Sequence, residues 1–164
     1  MKPIACSIIL LVSIPTFAQK HVLDTFDKLE GWNVHASDGV VVTISHDVGK
    51  KGKAVRIDFE FTVGSGYGGI NKKFPIRLPS NYQITFDIKA DAPANNFEFK
   101  LIDTTGENVW WLNQRNFTFP TDWKTIRIKK RQISFAWGPS STELSSLGGI
   151  EFIVAAGTGG RGTI

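Results

Sequence analysis

Apolar and polar side chains alternate along most of this chain. Val55-Arg56-Ile57-Asp58-Phe59-Glu60-Phe61 places apolar groups on one side of an extended backbone and charges on the other. The same period of two runs through Tyr82–Lys89, Phe97–Leu101 and Lys124–Lys129, and more weakly through Ile150–Val154. Successive side chains of a strand point to opposite faces, so this alternation predicts strands with one face buried. Val40–Ser45 and Asn108–Phe119 bring the set to at least seven. Between them lie turn-forming clusters such as Gly49-Lys50-Lys51-Gly52, Gly64-Ser65-Gly66, Asp91-Ala92-Pro93-Ala94 and Asp103-Thr104-Thr105-Gly106. Many short strands at this spacing predict an all-β fold, an antiparallel β-sandwich or jelly roll. Only Ser140–Leu147 has a composition that could hold a helical turn.

The two ends depart from this pattern. Lys2, an apolar run from Ile4 to Ile14 and the small residues around Thr16-Phe17-Ala18 read as a secretory signal over residues 1–18. The apolar run is too short to span a bilayer, which takes roughly 20 residues, and nothing later is long enough. The expected compartment is therefore outside the cytoplasm: secreted, periplasmic or outer-surface. The only cysteine, Cys6, lies in that segment, so residues 19–164 are left with neither disulfide nor thiol chemistry. At the other end, Gly157-Thr158-Gly159-Gly160 leads into Arg161-Gly162-Thr163-Ile164, which reads as the opening of a strand. A sandwich lacking its closing strand exposes an unpaired edge. The expectation is a single domain over 19–164, truncated before its last strand; the alternative is that a strand of three or four residues closes the sheet.

Charge narrows the partners. Without Lys2 the chain carries 18 basic and 15 acidic side chains, a mild and unclustered excess that argues against nucleic acid. All five tryptophans lie beyond the signal segment. Flat aromatic surface beside planar polar groups suits sugar rings, and Asn108-Val109-Trp110-Trp111-Leu112-Asn113-Gln114-Arg115-Asn116 supplies both. Alternation puts Trp110, Leu112 and Gln114 on one face and Trp111, Asn113 and Arg115 on the other; the second set is taken as the presented face. The competing reading makes both tryptophans structural. Tyr67, in a glycine-rich stretch, either approaches a ligand or sits in an incidental turn. Trp137 either rims a cleft or plugs the end of the sandwich, the plug slightly favoured. Lys100 is the outward charge to test, whereas Asp87, Lys89, Glu98, Arg127 and Lys129 read as a solvated face. The candidate carbohydrate-binding set is Tyr67, Lys100, Trp111, Asn113, Arg115 and Trp137. Glu98 and Glu151 are conceivable glycosidase carboxylates, but neither lies in a recognisable catalytic context. His21, His35 and His46 lack metal-ligand spacing, and no nucleophile elbow or phosphate loop occurs.

The order of several segments adds a resemblance. Leu23-Asp24-Thr25-Phe26-Asp27 with Gly31-Trp32, then Gly52-Lys53-Ala54-Val55, Asn95–Asp103, Asn108–Trp111, Trp123–Ile128 and Ile150-Glu151-Phe152, is similar to the family 11-like carbohydrate-binding modules. These are galactose-binding-like jelly rolls, and the likeness extends to N-terminal modules of bacterial secreted proteins with a discoidin-type domain and a glycosidase further on. The resemblance implies a non-catalytic module that binds polysaccharide or oligosaccharide on a sheet face and targets a linked enzyme, often with a structural calcium. Such a module could itself belong to a longer glycoside hydrolase. The family's usual last strand, with paired aspartates, has no counterpart here; Asp24 and Asp27 could supply part of a calcium site. The alternative function is a structural domain docking against a downstream domain of the same polypeptide. Neither nucleic acid nor membrane is expected as a partner.

Overall fold

The computed structural model describes residues 20–164, so the expected signal segment, residues 1–18, lies outside the described residues. Eleven strands follow in order: β1 (Asn33–Ala36), β2 (Val40–Val48), β3 (Lys53–Phe61), β4 (Tyr67–Arg77), β5 (Gln83–Ile88), β6 (Asn95–Asp103), β7 (Val109–Phe117), β8 (Lys124–Lys129), β9 (Ser134–Trp137), β10 (Ser146–Ala155) and β11 (Arg161–Thr163). One layer is a six-stranded antiparallel sheet, β1-β4-β10-β6-β7-β9. The other consists of β11-β3-β2 and β5-β8. Those two pieces are tied by a bridge between Asp91 and Thr163. The expected sandwich is the observed one.

Alternation explains the core. Phe97, Phe99 and Leu101 of β6, Ile150 and Val154 of β10, and Ile70 of β4 turn inward to meet Ile57, Phe59 and Phe61 of β3. Phe86 of β5 packs against Phe97, Phe99 and Phe152, with ring centroids 5.0–6.2 Å apart. At about 25 cal/mol per Å², each such ring contributes several kcal/mol to holding the layers together. Trp32 is also in the core, its indole N–H donating to Asp24.

Three strands have no clear trace in the sequence pattern. Glycines 66, 68 and 69 precede or fall inside β4 and hide its period, while β1 and β9 have only four residues each. The helical turn expected within 140–147 is absent: Leu147 belongs to β10, and a 3₁₀ turn occupies Lys130–Gln132 instead. Asn95, fully buried, fastens the loop before β11. Its Oδ1 accepts from the N–H groups of Gly157 and Gly159, and its Nδ2 donates to the carbonyls of Gly159 and Pro93.

Candidate functional site

The outer face of the six-stranded sheet is built from the residues that alternate with the core. On β7, Trp110 turns inward and is 8% exposed, while Trp111 turns outward. The pairing of β7 with β6 sets this choice: Trp110 lies opposite Leu101, and Trp111 opposite Lys100. A register shift between β7 and β9 at Val109/Trp110 then brings Trp137 to the Trp111 side. The two indoles meet edge to face at 5.5 Å. Trp137 is 46% exposed, so it rims this face and does not plug the sandwich.

Lys100 lies at the centre. Its ammonium is 3.1 Å from Glu98 and 3.9 Å from Glu151. It also lies 5.1 Å from the Trp137 ring centroid and 5.7 Å from that of Tyr67. Tyr67, the first residue of β4 and 38% exposed, stands on the opposite side of the ammonium's surroundings, edge to face with His35 of β1. Glu98, Lys100 and Glu151 are all buried. The sequence pattern placed Glu98 on a solvated face; it is buried instead, with the Lys100 ammonium and the Asn113 carboxamide against its carboxylate. Period-two reasoning assigns a face to a residue but not the depth at which neighbours bury it.

Five candidates from the sequence are thus gathered on one face: Tyr67, Lys100, Trp111, Asn113 and Trp137. Asn113 lies opposite Glu98 and donates to its carboxylate at 3.5 Å. Arg115 is the outlier. It is exposed where the β6–β7 register shifts, next to Asn116 with φ of 49°, and no carboxylate among the described residues is within ion-pair distance. Sequence reasoning missed His35 as a site residue, because a lone histidine in a four-residue strand gives no pattern. It also missed the support under Trp137. Asn108, buried, donates to Asp103 at 2.7 Å and accepts from the Ser140 N–H at 2.8 Å, anchoring the loop that leaves β9. Burial alone would raise the Asp103 pKa. Donors from Asn108, Thr105 and Gly106 outweigh that and hold it below the usual carboxylate value.

Two buried side-chain polar atoms among the described residues have no hydrogen-bond partner, and both belong to this face: His35 Nδ1 and Asn113 Oδ1. His35 Nδ1 is 3.3 Å from Glu151 but outside hydrogen-bond geometry. Buried polar groups are nearly always satisfied, which sets these two atoms of one sheet face apart from the rest of the described residues.

A structural calcium does not fit the residues proposed for it. The Asp24 carboxylate is taken up by the Phe26 N–H at 2.7 Å, the Trp32 indole and the Lys72 ammonium at 2.7 Å. Asp27 accepts from the Thr25 hydroxyl. No group of three or more acidic, histidine or cysteine ligands is assembled among the described residues.

A family 11 carbohydrate-binding module from Clostridium thermocellum, solved with a beta-1,3-1,4-mixed-linked tetrasaccharide, matches with a TM-score of 0.68. The match covers 86% of this chain and 89% of that one at 24% identity. The chain has the fold of the family 11 carbohydrate-binding modules. The family 11 module of the cellulosomal cellulase Lic26A-Cel5E of the same organism agrees, with a TM-score of 0.66 over 86% and 88% of the two chains at 23% identity. An exo-beta-agarase shares the fold more distantly, with a TM-score of 0.55 and 14% identity over 85% of this chain and 23% of its own. No protein-family model and no curated protein matches the sequence.

Proposed function

We propose that the outer face of the six-stranded sheet binds a polysaccharide or oligosaccharide chain without acting on it. The observation that carries the reading is the cluster of rings on this face, Trp111 edge to face with Trp137 and Tyr67 beyond the Lys100 ammonium, with Tyr67 and Trp137 exposed. Sugar rings present apolar C–H faces to indoles and donate and accept through hydroxyls, so one ligand class answers both the rings and the polar groups between them. The resemblance of the fold to modules that include one solved with a mixed-linked tetrasaccharide points the same way. Trp111 and Trp137 serve as the stacking platform, Tyr67 as the facing ring, and Asn113, Glu98 and Glu151 as hydroxyl acceptors. Arg115 reaches a ligand only if the chain runs along β7.

In this reading Glu98 and Glu151 have no catalytic role: both lie within ion-pair distance of the Lys100 ammonium, at 3.1 and 3.9 Å, and are read as part of the polar floor. The apolar run before Ala18 supports export, and the module's role would be to hold a linked enzyme on its substrate. Affinity electrophoresis against mixed-linked, cello- and other neutral glucans tests the reading. Retardation should be lost in Trp111→Ala while the thermal midpoint stays within a few degrees. A folded protein that no glucan retards would favour the docking role instead.

A further inference from the structure

We propose that the outer face of the β5–β8 pair binds a linear anionic polysaccharide, one carrying carboxylate or sulfate groups along its length. The excess of basic side chains is unclustered along the chain, but the fold gathers it. Ile84, Phe86 and Ile126 pack against the core and Ile88 and Ile128 are buried in it, so the alternate positions of both strands turn outward. Across the pair these outward positions match Gln83 with Lys129, Thr85 with Arg127 and Asp87 with Thr125. Lys89 follows Asp87 in the same phase, exposed between the buried Ile88 and Ala90.

The turn between β2 and β3 adds its charge to this face. Lys50 reaches Asp87 at 2.9 Å and the Thr125 hydroxyl at 3.0 Å, which brings the exposed Lys51 to the same end of the pair. Asp87 is already occupied. Hydrogen bonds from Thr125 and Lys50, with the positive charge of Lys50 and Lys51, hold it below the usual carboxylate range. The other cations have no such partner: among the described residues, none of Lys51, Lys89, Arg127 and Lys129 is in an ion pair. A charged face that serves only the fold sets opposite charges across from one another. Here the residues facing Arg127 and Lys129 are Thr85 and Gln83, which are uncharged.

Charge complementarity selects the occupant. A bilayer surface is held by apolar insertion beside charge, and single-stranded nucleic acid by base stacking. The outward positions of β5 and β8 carry no apolar or aromatic side chain. A chain of acidic sugars needs only cations and hydroxyl partners. Arg127 and Lys129, about 6.8 Å apart along one strand, each take an anionic group, and Thr85 and Gln83 lie beside them for hydroxyls. The face belongs to the layer opposite the six-stranded sheet, so it is separate from the aromatic face and does not rest on the function proposed for that face.

The test titrates the full chain with polygalacturonate and dextran sulfate, with dextran as the uncharged control and phosphatidylglycerol vesicles as the competing anionic surface. Binding to either acidic glycan is expected, none to dextran, and an affinity that falls as sodium chloride rises from about 50 to about 300 mM. Arg127→Glu/Lys129→Glu should weaken binding on the order of tenfold or more and leave the thermal midpoint unchanged. Lys51→Ser/Lys89→Ser should weaken it severalfold, and decides the matter if the first variant misfolds. Trp111→Ala should bind the acidic glycans as the parent does. Absence of binding to both acidic glycans, insensitivity to salt, parental affinity in both charge variants, loss in Trp111→Ala, or vesicles bound as tightly as the glycans overturns the proposal.

Discussion

Lys100→Met tests the electrostatics of the site directly. The ammonium lies 3.1 Å from Glu98 and 3.9 Å from Glu151, so the two nearest carboxylate oxygens are no more than about 7 Å apart. Removing the cation leaves like charges that repel by about 2 kcal/mol at an effective dielectric of about 20. It also strands both in a buried setting, and breaking such a pair typically costs about 3–5 kcal/mol. We expect a loss of about 3 kcal/mol at pH 7, read in urea as a midpoint shift of about 1–2 M with an unchanged slope. Rescue is the sharper readout, because it separates lost neutralisation from lost packing. Glu98→Gln/Lys100→Met/Glu151→Gln should recover most of the loss at pH 7. A deficit below about 1 kcal/mol, or one that the triple variant leaves in place, would refute the view that this cation neutralises a buried pair.

Trp110→Ala, one residue from the platform but in the core, should cost about 3–5 kcal/mol by denaturant unfolding, while the folded fraction still binds. Asn95→Ala removes four hydrogen bonds from a fully buried carboxamide and leaves two glycine N–H groups unpaired; a loss of about 2–5 kcal/mol is expected in the same assay. Acid should destabilise the parent. Asp58 is held below its ordinary pKa chiefly by hydrogen bonds from Arg56, and Asp87 by those from Thr125 and Lys50. In Asp103 the donors prevail over burial. Depressed folded-state values contribute stability above the unfolded pKa, about 3.9, and lose it as pH falls through the folded values. Thermal midpoints should therefore decline below about pH 4, less steeply in Asp103→Asn.

Most of the architecture was legible because β3, β5, β6 and β8 each alternate apolar residues facing the core with polar ones facing away, and that alternation shows in the sequence even where, as on β6, both faces are covered. β4 was not, because Gly68 and Gly69 supply no side chain to carry a period. Gly69 has a further reason to be bare: a Cβ there would come within 1.9 Å of the Phe152 carbonyl oxygen on β10. The division of the tryptophan pair was readable as a choice between two phases. Cross-strand register with Leu101 and Lys100 settles it, and register is a non-local property. Trp137 needed still more, since the β7–β9 register shift decides which side it meets. The burial of Lys100 was unreadable from its own strand, being produced by Tyr67 and Trp137 arriving from β4 and β9.

The polar floor and the aromatic core share β6 and β10, residue by residue: Glu98 and Lys100 stand between Phe97, Phe99 and Leu101, and Glu151 between Ile150 and Phe152. A substitution that shifts either strand would disturb recognition and folding together. Adaptation to a different ligand therefore has little freedom in the middle of the sheet. It is left to the margins, β1 with His35 and β9 with Trp137, where short strands and their loops can vary without repacking the interior.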